Sequence, residues 1–148
     1  MFHHQIDKVL FDEAAPVAYR KVNEAFADTI APYLRDGDHV WVHDYHLMLL
    51  PGLIRQRAKR ANVGIRLGWF LHTPFPEEEL FGILPSKDEI LDGLLSADVV
   101  GLQTNDARRN LLRTCSRNRY VLPTSHTYLC RGSLRIPDVG DPTITVLP

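Results

Sequence analysis

HVWVHDYHLMLLP, residues 39–51, sets a short run of β-branched and aromatic residues against a polar cluster and then an apolar helix start. The run His39–Val42 is bounded by Asp36-Gly37-Asp38 before it and His43-Asp44 after it, which reads as a buried strand. The segment from about Leu47 to Arg60 is apolar first and basic last, and Arg55, Arg57, Lys59 and Arg60 complement the negative end of a helix dipole. A buried strand feeding such a helix opens a βαβ unit.

The same grammar repeats outward. Upstream, Ala15, Ala18, Tyr19, Val22, Ala25, Phe26 and Ile30 recur at spacings of three and four. They predict one buried helix face, with Pro16 in the first turn and Asp12 as a cap. Downstream, Ile65–His72 is a second apolar strand, stopped by Thr73-Pro74-Phe75-Pro76, whose prolines forbid helix or central strand. Glu77, Glu78 and Glu79 open a short helix, and Ser86-Lys87-Asp88-Glu89 reads as a capping box before Ile90, Leu91, Leu94 and Leu95. Asp98–Gln103 is a third strand, and Thr104 or Asn105 caps a helix through Leu111, Leu112 and Cys115. Residues 124–142 are polar and turn-rich, with a hairpin turn at Arg131-Gly132 and a last strand at Ile144–Leu147. Strands alternating with amphipathic helices predict an α/β fold, a Rossmann-like parallel sheet with helices on both faces.

That fold gives the polar cluster a location. Ligands of open α/β sheets bind beyond the C-terminal strand ends, and His43-Asp44 and His72 each end a strand, so they share one rim. Asp44 has three readings. It suits an N-cap for the Tyr45–Arg60 helix, or a hook for sugar hydroxyls, since a carboxylate accepts strong bonds. A metal ligand is the third, with His43, His46 and His72, although adjacent His43 and Asp44 point to opposite faces and no HExxH accompanies them. His72 is either a histidine bonded to backbone or a donor held at the site by the stiff double-proline loop. Arg55–Arg60 reads as a solvated helix end, and Arg108, Arg109, Arg113, Arg117 and Arg119 as the outer face of the last helix. Phe70, Phe75 and Phe81 read as core and loop packing. No GxGxxG, GxxxxGK[ST] or GxSxG occurs, so dinucleotide, P-loop and nucleophile-elbow chemistry lack support.

Bulk numbers agree with one soluble domain. The 148 residues are 45% hydrophobic and 24% charged, and a chain of this length buries roughly 70% of its unfolded surface. A net charge of −1 gives no case for nucleic acid or membrane partners. Seven histidines include the pairs His3, His4 and His43, His46, while Cys115 and Cys130 form no framework. Reduced thiols in the cytoplasm are expected. No apolar run approaches the roughly 18 residues of a membrane span. Met1–Phe11 lacks a signal-peptide pattern and a clear first element, and TITVLP stops as an apolar run finishes, so a chain cut at both ends is expected.

These residues carry a resemblance. WVHDYHLMLLP and GWFLHTPFPEEELFGILPSKDEILDGLLSADVVGLQTNDARRNLL, residues 41–51 and 68–112, are similar to the N-terminal domain of the trehalose-6-phosphate synthase family. FHHQIDKVLFDEAAPVAYRKVNEAFADTIAPYL, residues 2–34, resembles that family's segment from FHYR through VNxxFAD, with His4 in place of the tyrosine. The resemblance runs from about Phe2 to Tyr120 and thins from Val121 to Thr143. It implies a partial N-terminal, acceptor-side half of a GT-B glycosyltransferase over residues 1–148, without the second nucleotide-binding domain. Such enzymes move glucose from UDP-glucose to glucose 6-phosphate, with retention and without metal or other cofactor. Asp44 is then the acceptor contact and His72 the donor contact, the two candidate catalytic residues.

The family's glycine-bearing donor loop, and its aromatic residues for the acceptor phosphate, lie upstream of Met1. Its diphosphate-holding arginine and lysine belong to the second domain. A retaining glycosidase needs paired carboxylates about 5–5.5 Å apart, and no second acidic residue ends a strand beside Asp44. Asp98 begins its strand at the opposite edge. This fits the family's front-face route, in which the leaving diphosphate takes the acceptor's proton. Two other classes remain: a non-catalytic regulatory or sugar-phosphate-binding module of the same family, and a metal-dependent hydrolase. Nucleotide preference and oligomeric state, self-association of the intact enzyme included, are not legible.

Overall fold

In the computed structural model the described residues are 14–117, 132–133 and 143–147. Strands β1 (His39–His43), β2 (Arg66–Leu71), β3 (Val99–Leu102), β4 (Gly132–Ser133) and β5 (Thr143–Val146) form one sheet in the order β1-β2-β3-β5-β4. β1, β2, β3 and β5 are mutually parallel, and short β4 pairs antiparallel with β5. Helices α1 (Ala14–Ile30), α2 (Leu50–Arg60), α3 (Glu78–Gly82), α4 (Lys87–Leu95) and α5 (Asn105–Arg117) complete the α/β architecture. The three strands and their connecting helices expected from the sequence are present, as is the last strand.

Strand order explains which face is covered. Each successive parallel strand is added on the same side of the last, and right-handed crossovers then put every connecting helix on one face. Val42, Leu67, Trp69, Leu71, Val100, Leu102 and Ile144 point to that face and are buried. Burying side chains of this kind contributes about 1.5–3 kcal/mol each. On the other face His39, Trp41 and His43 are exposed, Trp41 at 50%. Helices on both faces were expected; among the described residues they cover one. Trp41 lies over Gly68, where an added Cβ would come within 2.6 Å of the indole.

Helix α1 departs from expectation. Its inward stripe is Tyr19, Asn23, Ala27 and Ile30, while Val22 and Phe26 are 51% and 47% exposed. The basic group also differs from a solvated helix end. The Arg55 guanidinium donates to the carbonyls of Ile65 (3.1 Å) and Ser96 (3.2 Å) and pairs with Asp98 at 2.8 Å. Arg57 pairs with Asp28 of α1 at 2.6 Å. Ser86 precedes α4, but its hydroxyl makes no capping bond. Thr104 does cap α5, its Oγ1 accepting from Ala107 N at 3.1 Å. Phe75 and Phe81 are buried and stacked at 5.2 Å, as packing residues should be. His3, His4, Asp12, Arg119, Cys130 and Arg131 lie outside the described residues, and Gly132, expected in a hairpin turn, lies in β4 instead.

Candidate active site at the C-terminal strand edge

β1 ends opposite β2, with His43 beside Phe70 in the register. The next residue, Asp44, leaves the sheet with φ 70° and ψ 169°. That region is essentially reserved for glycine and costs a residue with a side chain about 1–3 kcal/mol. Hydrogen bonds on every side hold it there. Asp44 N donates to Phe70 O at 2.7 Å, and Trp69 Nε1 donates to Asp44 O at 3.2 Å. Asp44 Oδ1 accepts from Tyr45 N at 3.0 Å, capping the single 3-10 turn Tyr45–Leu47. So Asp44 is a cap, but of a short turn rather than of α2, which starts at Leu50. Among the described residues its Oδ2 has no hydrogen-bond partner, which leaves one carboxylate oxygen for a ligand.

Helix α1 clamps this turn. Tyr19 Oη donates to Tyr45 O at 2.7 Å and accepts from Met48 N at 2.9 Å. Asn23 Nδ2 donates to His46 O at 3.1 Å. Burial pushes the Tyr19 hydroxyl up to about 12, because the phenolate would lose its hydration. Tyr19 belongs to the apolar face expected from the sequence, whereas Asn23 does not. A polar residue four positions from Tyr19, midway along a second stripe with Ala27, was the available signal.

His72 follows β2 and is exposed. Its Nε2 lies 3.1 Å from His43 Nδ1, and the two rings are 5.2 Å apart. Phe70 meets His72 edge-on at 4.7 Å. Trp41, His43, Phe70 and His72 thus form an aromatic row on the open face, in which Phe70 is a surface partner rather than core. The loop after His72 is fixed by the Asn110 Nδ2 bond to Phe75 O at 3.1 Å. His46 turns away and stacks on Tyr45 at 4.0 Å. No group of three or more metal-ligating side chains occurs among the described residues, so the His43, Asp44, His46, His72 metal set is not assembled. Asp98 sits at the other end of the sheet, held by Leu67 N at 2.7 Å and by Arg55. A cleft of about 530 Å³ lined by His39, Trp41, Arg66 and Asp98 lies at those strand starts, away from Asp44. No described helix is long and apolar enough to cross a membrane.

Comparison with known proteins follows the same segments. The model of glycosyltransferase family 20 matches residues 1–132. The 56 kDa subunit of an alpha,alpha-trehalose-phosphate synthase [UDP-forming] from Kluyveromyces lactis is 50% identical over 119 residues, covering 79% of this chain and 24% of the relative. The corresponding synthase of Emericella nidulans is 46% identical over 117 residues, covering 79% and 23%. Among solved structures, a Burkholderia xenovorans alpha,alpha-trehalose-phosphate synthase (UDP-forming) in complex with glucose-6-phosphate superposes with TM-score 0.83 at 28% identity, over 99% of this chain and 31% of that one. The N-terminal domain of a Candida albicans trehalose-6-phosphate phosphatase gives TM-score 0.81 at 31% identity, over 99% and 29%. The chain spans about a quarter of the length of the curated relatives it matches. With the family match running across both the β1 turn and the double-proline loop, the chain belongs to glycosyltransferase family 20.

Proposed function

We propose that this chain is the acceptor-side part of a two-domain, retaining glycosyltransferase that transfers glucose from UDP-glucose to glucose 6-phosphate, forming trehalose 6-phosphate and UDP. In this reading Asp44 holds acceptor hydroxyls through Oδ2, and His72 holds the donor glucose. The acceptor oxygen bonds to the donor's anomeric carbon as the bond to the diphosphate breaks, and a leaving phosphate oxygen takes the proton. Orientation supplies much of the rate, so no protein nucleophile is required. A second domain, beyond this chain, holds the diphosphate.

The observation that carries the reading is the backbone of Asp44. A carboxylate kept at φ 70°, beyond the end of a parallel strand and beside the strand that delivers His72, is strain retained where sheets of this class bind ligands. The relatives named as UDP-forming synthases supply the substrate class. Cytoplasmic placement belongs to the same reading and accords with the free, buried Cys115. The test is UDP release by the full-length protein carrying this chain, with and without glucose 6-phosphate. Acceptor-dependent release is expected.

A second reading has one observation in its favour. The phosphatase N-terminal domain shares the fold, so fold alone fits a non-catalytic, sugar-phosphate-binding module. No acceptor-dependent UDP release by the full-length protein favours that module.

A further inference from the structure

His43 is absorbed by neither the metal reading nor the substrate contacts, yet it makes the side-chain contact nearest the donor residue. Its Nδ1 is 3.1 Å from Nε2 of His72. Both rings are exposed at the strand edge, and exposed rings ordinarily turn freely between rotamers. Here Trp41 stacks on His43 with an interplanar angle of 21°, and Phe70 is edge-on to both His43 and His72. The rings are therefore held by their neighbours, and the contact between them has consequences for chemistry. A neutral imidazole carries one N–H, so in a ring-to-ring bond one nitrogen must donate and the other accept. Whichever does so, Nε2 of His72 is occupied, and Nδ1 is the nitrogen left to face a ligand.

We infer that His43 is a positioning residue: its hydrogen bond engages Nε2 of His72, couples the tautomers of the two rings and holds the His72 ring orientation, and so leaves Nδ1 of His72 as the nitrogen offered to a donor sugar. The bond to His72 stands on geometry alone; its consequence for the donor rests on the proposed glucosyl-transfer reading. A second histidine is suited to the task because its partner nitrogen is fixed by the same strand pairing that fixes His72. His43 and Phe70 are register partners across β1 and β2, and His72 is two residues beyond Phe70, on the same side of the strand.

Two variants separate the bond from the packing. His43→Phe keeps a flat ring between Trp41 and Phe70 but cannot hydrogen-bond. His43→Asn loses the ring but keeps a polar atom near the Nδ1 position. The imidazole nitrogen spectrum of the 148-residue chain reads the His72 tautomer without ligand or activity. The expected result is a His72 tautomer population that shifts between the native chain and His43→Phe and returns toward the native one in His43→Asn. Identical His72 tautomer populations in all three overturn the proposal. In the full-length protein, His43→Phe is expected to raise KM for UDP-glucose about tenfold, the size of one lost net hydrogen bond. KM for glucose 6-phosphate should stay near native, and His43→Asn should recover most of the donor loss. A His72 tautomer change with an unaltered UDP-glucose KM also overturns the positioning role. Failure of the native full-length protein to use UDP-glucose counts against the glucosyl-transfer reading instead, and leaves the tautomer result to decide the pair.

Discussion

At Asp44 a single backbone conformation links stability to function. Replacing it with glycine relieves the φ 70° strain and gives up a short cap, which glycine substitutes at a cost of only tenths of a kcal/mol. Replacing it with alanine keeps the strain and loses the cap. Asp44→Gly should therefore be more stable than Asp44→Ala by about 1–3 kcal/mol, measured by urea unfolding of the chain. Equal stabilities would mean that the backbone is not strained in solution. Tyr19 offers a second residue-scale test. Its folded value is raised by burial from 10 to about 12, so the stability it contributes is complete below pH 10 and lost as pH rises toward 12. Tyr19→Phe removes both bonds to the turn, for a loss of about 1–3 kcal/mol at neutral pH, and should flatten the stability profile above pH 10. A variant as pH-sensitive as the native chain there would show that another group carries the effect. At this scale the sequence announced the residue types but not their pairing. Asp44 and His72 stood out because each ends a strand. The His43–His72 contact did not, because lateral register between strands is not written in either strand's local pattern.

Among the elements, the strands were legible and the helix faces were not. β1, β2 and β3 are apolar runs fenced by glycine, proline and aspartate, and these signals act locally. Helix α1 carries two stripes at helical spacing. Apolarity favours the Val22–Phe26 stripe, but the surface the helix meets includes the backbone groups of Tyr45, His46 and Met48. Those buried polar groups need partners, so the stripe with a hydroxyl and an amide wins. The α2–α4 packing makes a further prediction. A Cβ on Gly93 would stand 2.7 Å from Leu49 Cα and 2.8 Å from Met48 O, which are backbone atoms that cannot swing aside. Gly93→Ala should push α4 off the segment that follows the Asp44 turn and cost about 1–3 kcal/mol. Thermal unfolding measures it, and an unchanged midpoint would argue against this close approach.

For the molecule as a whole, the monotonic strand order leaves one face of the sheet to be read as surface, with Trp41, His43 and Phe70 across it. The sequence rule that α/β sheets are covered twice assumes a strand order that reverses direction; the described parallel strands are added in one direction and are covered on one side. The proposed cleft needs a diphosphate-binding wall opposite Asp44 and His72. The 148-residue chain by itself is thus expected to make no trehalose 6-phosphate from UDP-glucose and glucose 6-phosphate, and measurable product would remove the need for a second domain.

The pairing of acceptor and donor roles on neighbouring strand ends is tested most directly by two-substrate kinetics on Asp44→Asn and His72→Asn in the full-length protein. The account predicts that Asp44→Asn impairs saturation by glucose 6-phosphate while UDP-glucose still binds, and that His72→Asn does the reverse. Failed UDP-glucose binding with normal acceptor saturation in Asp44→Asn would contradict it.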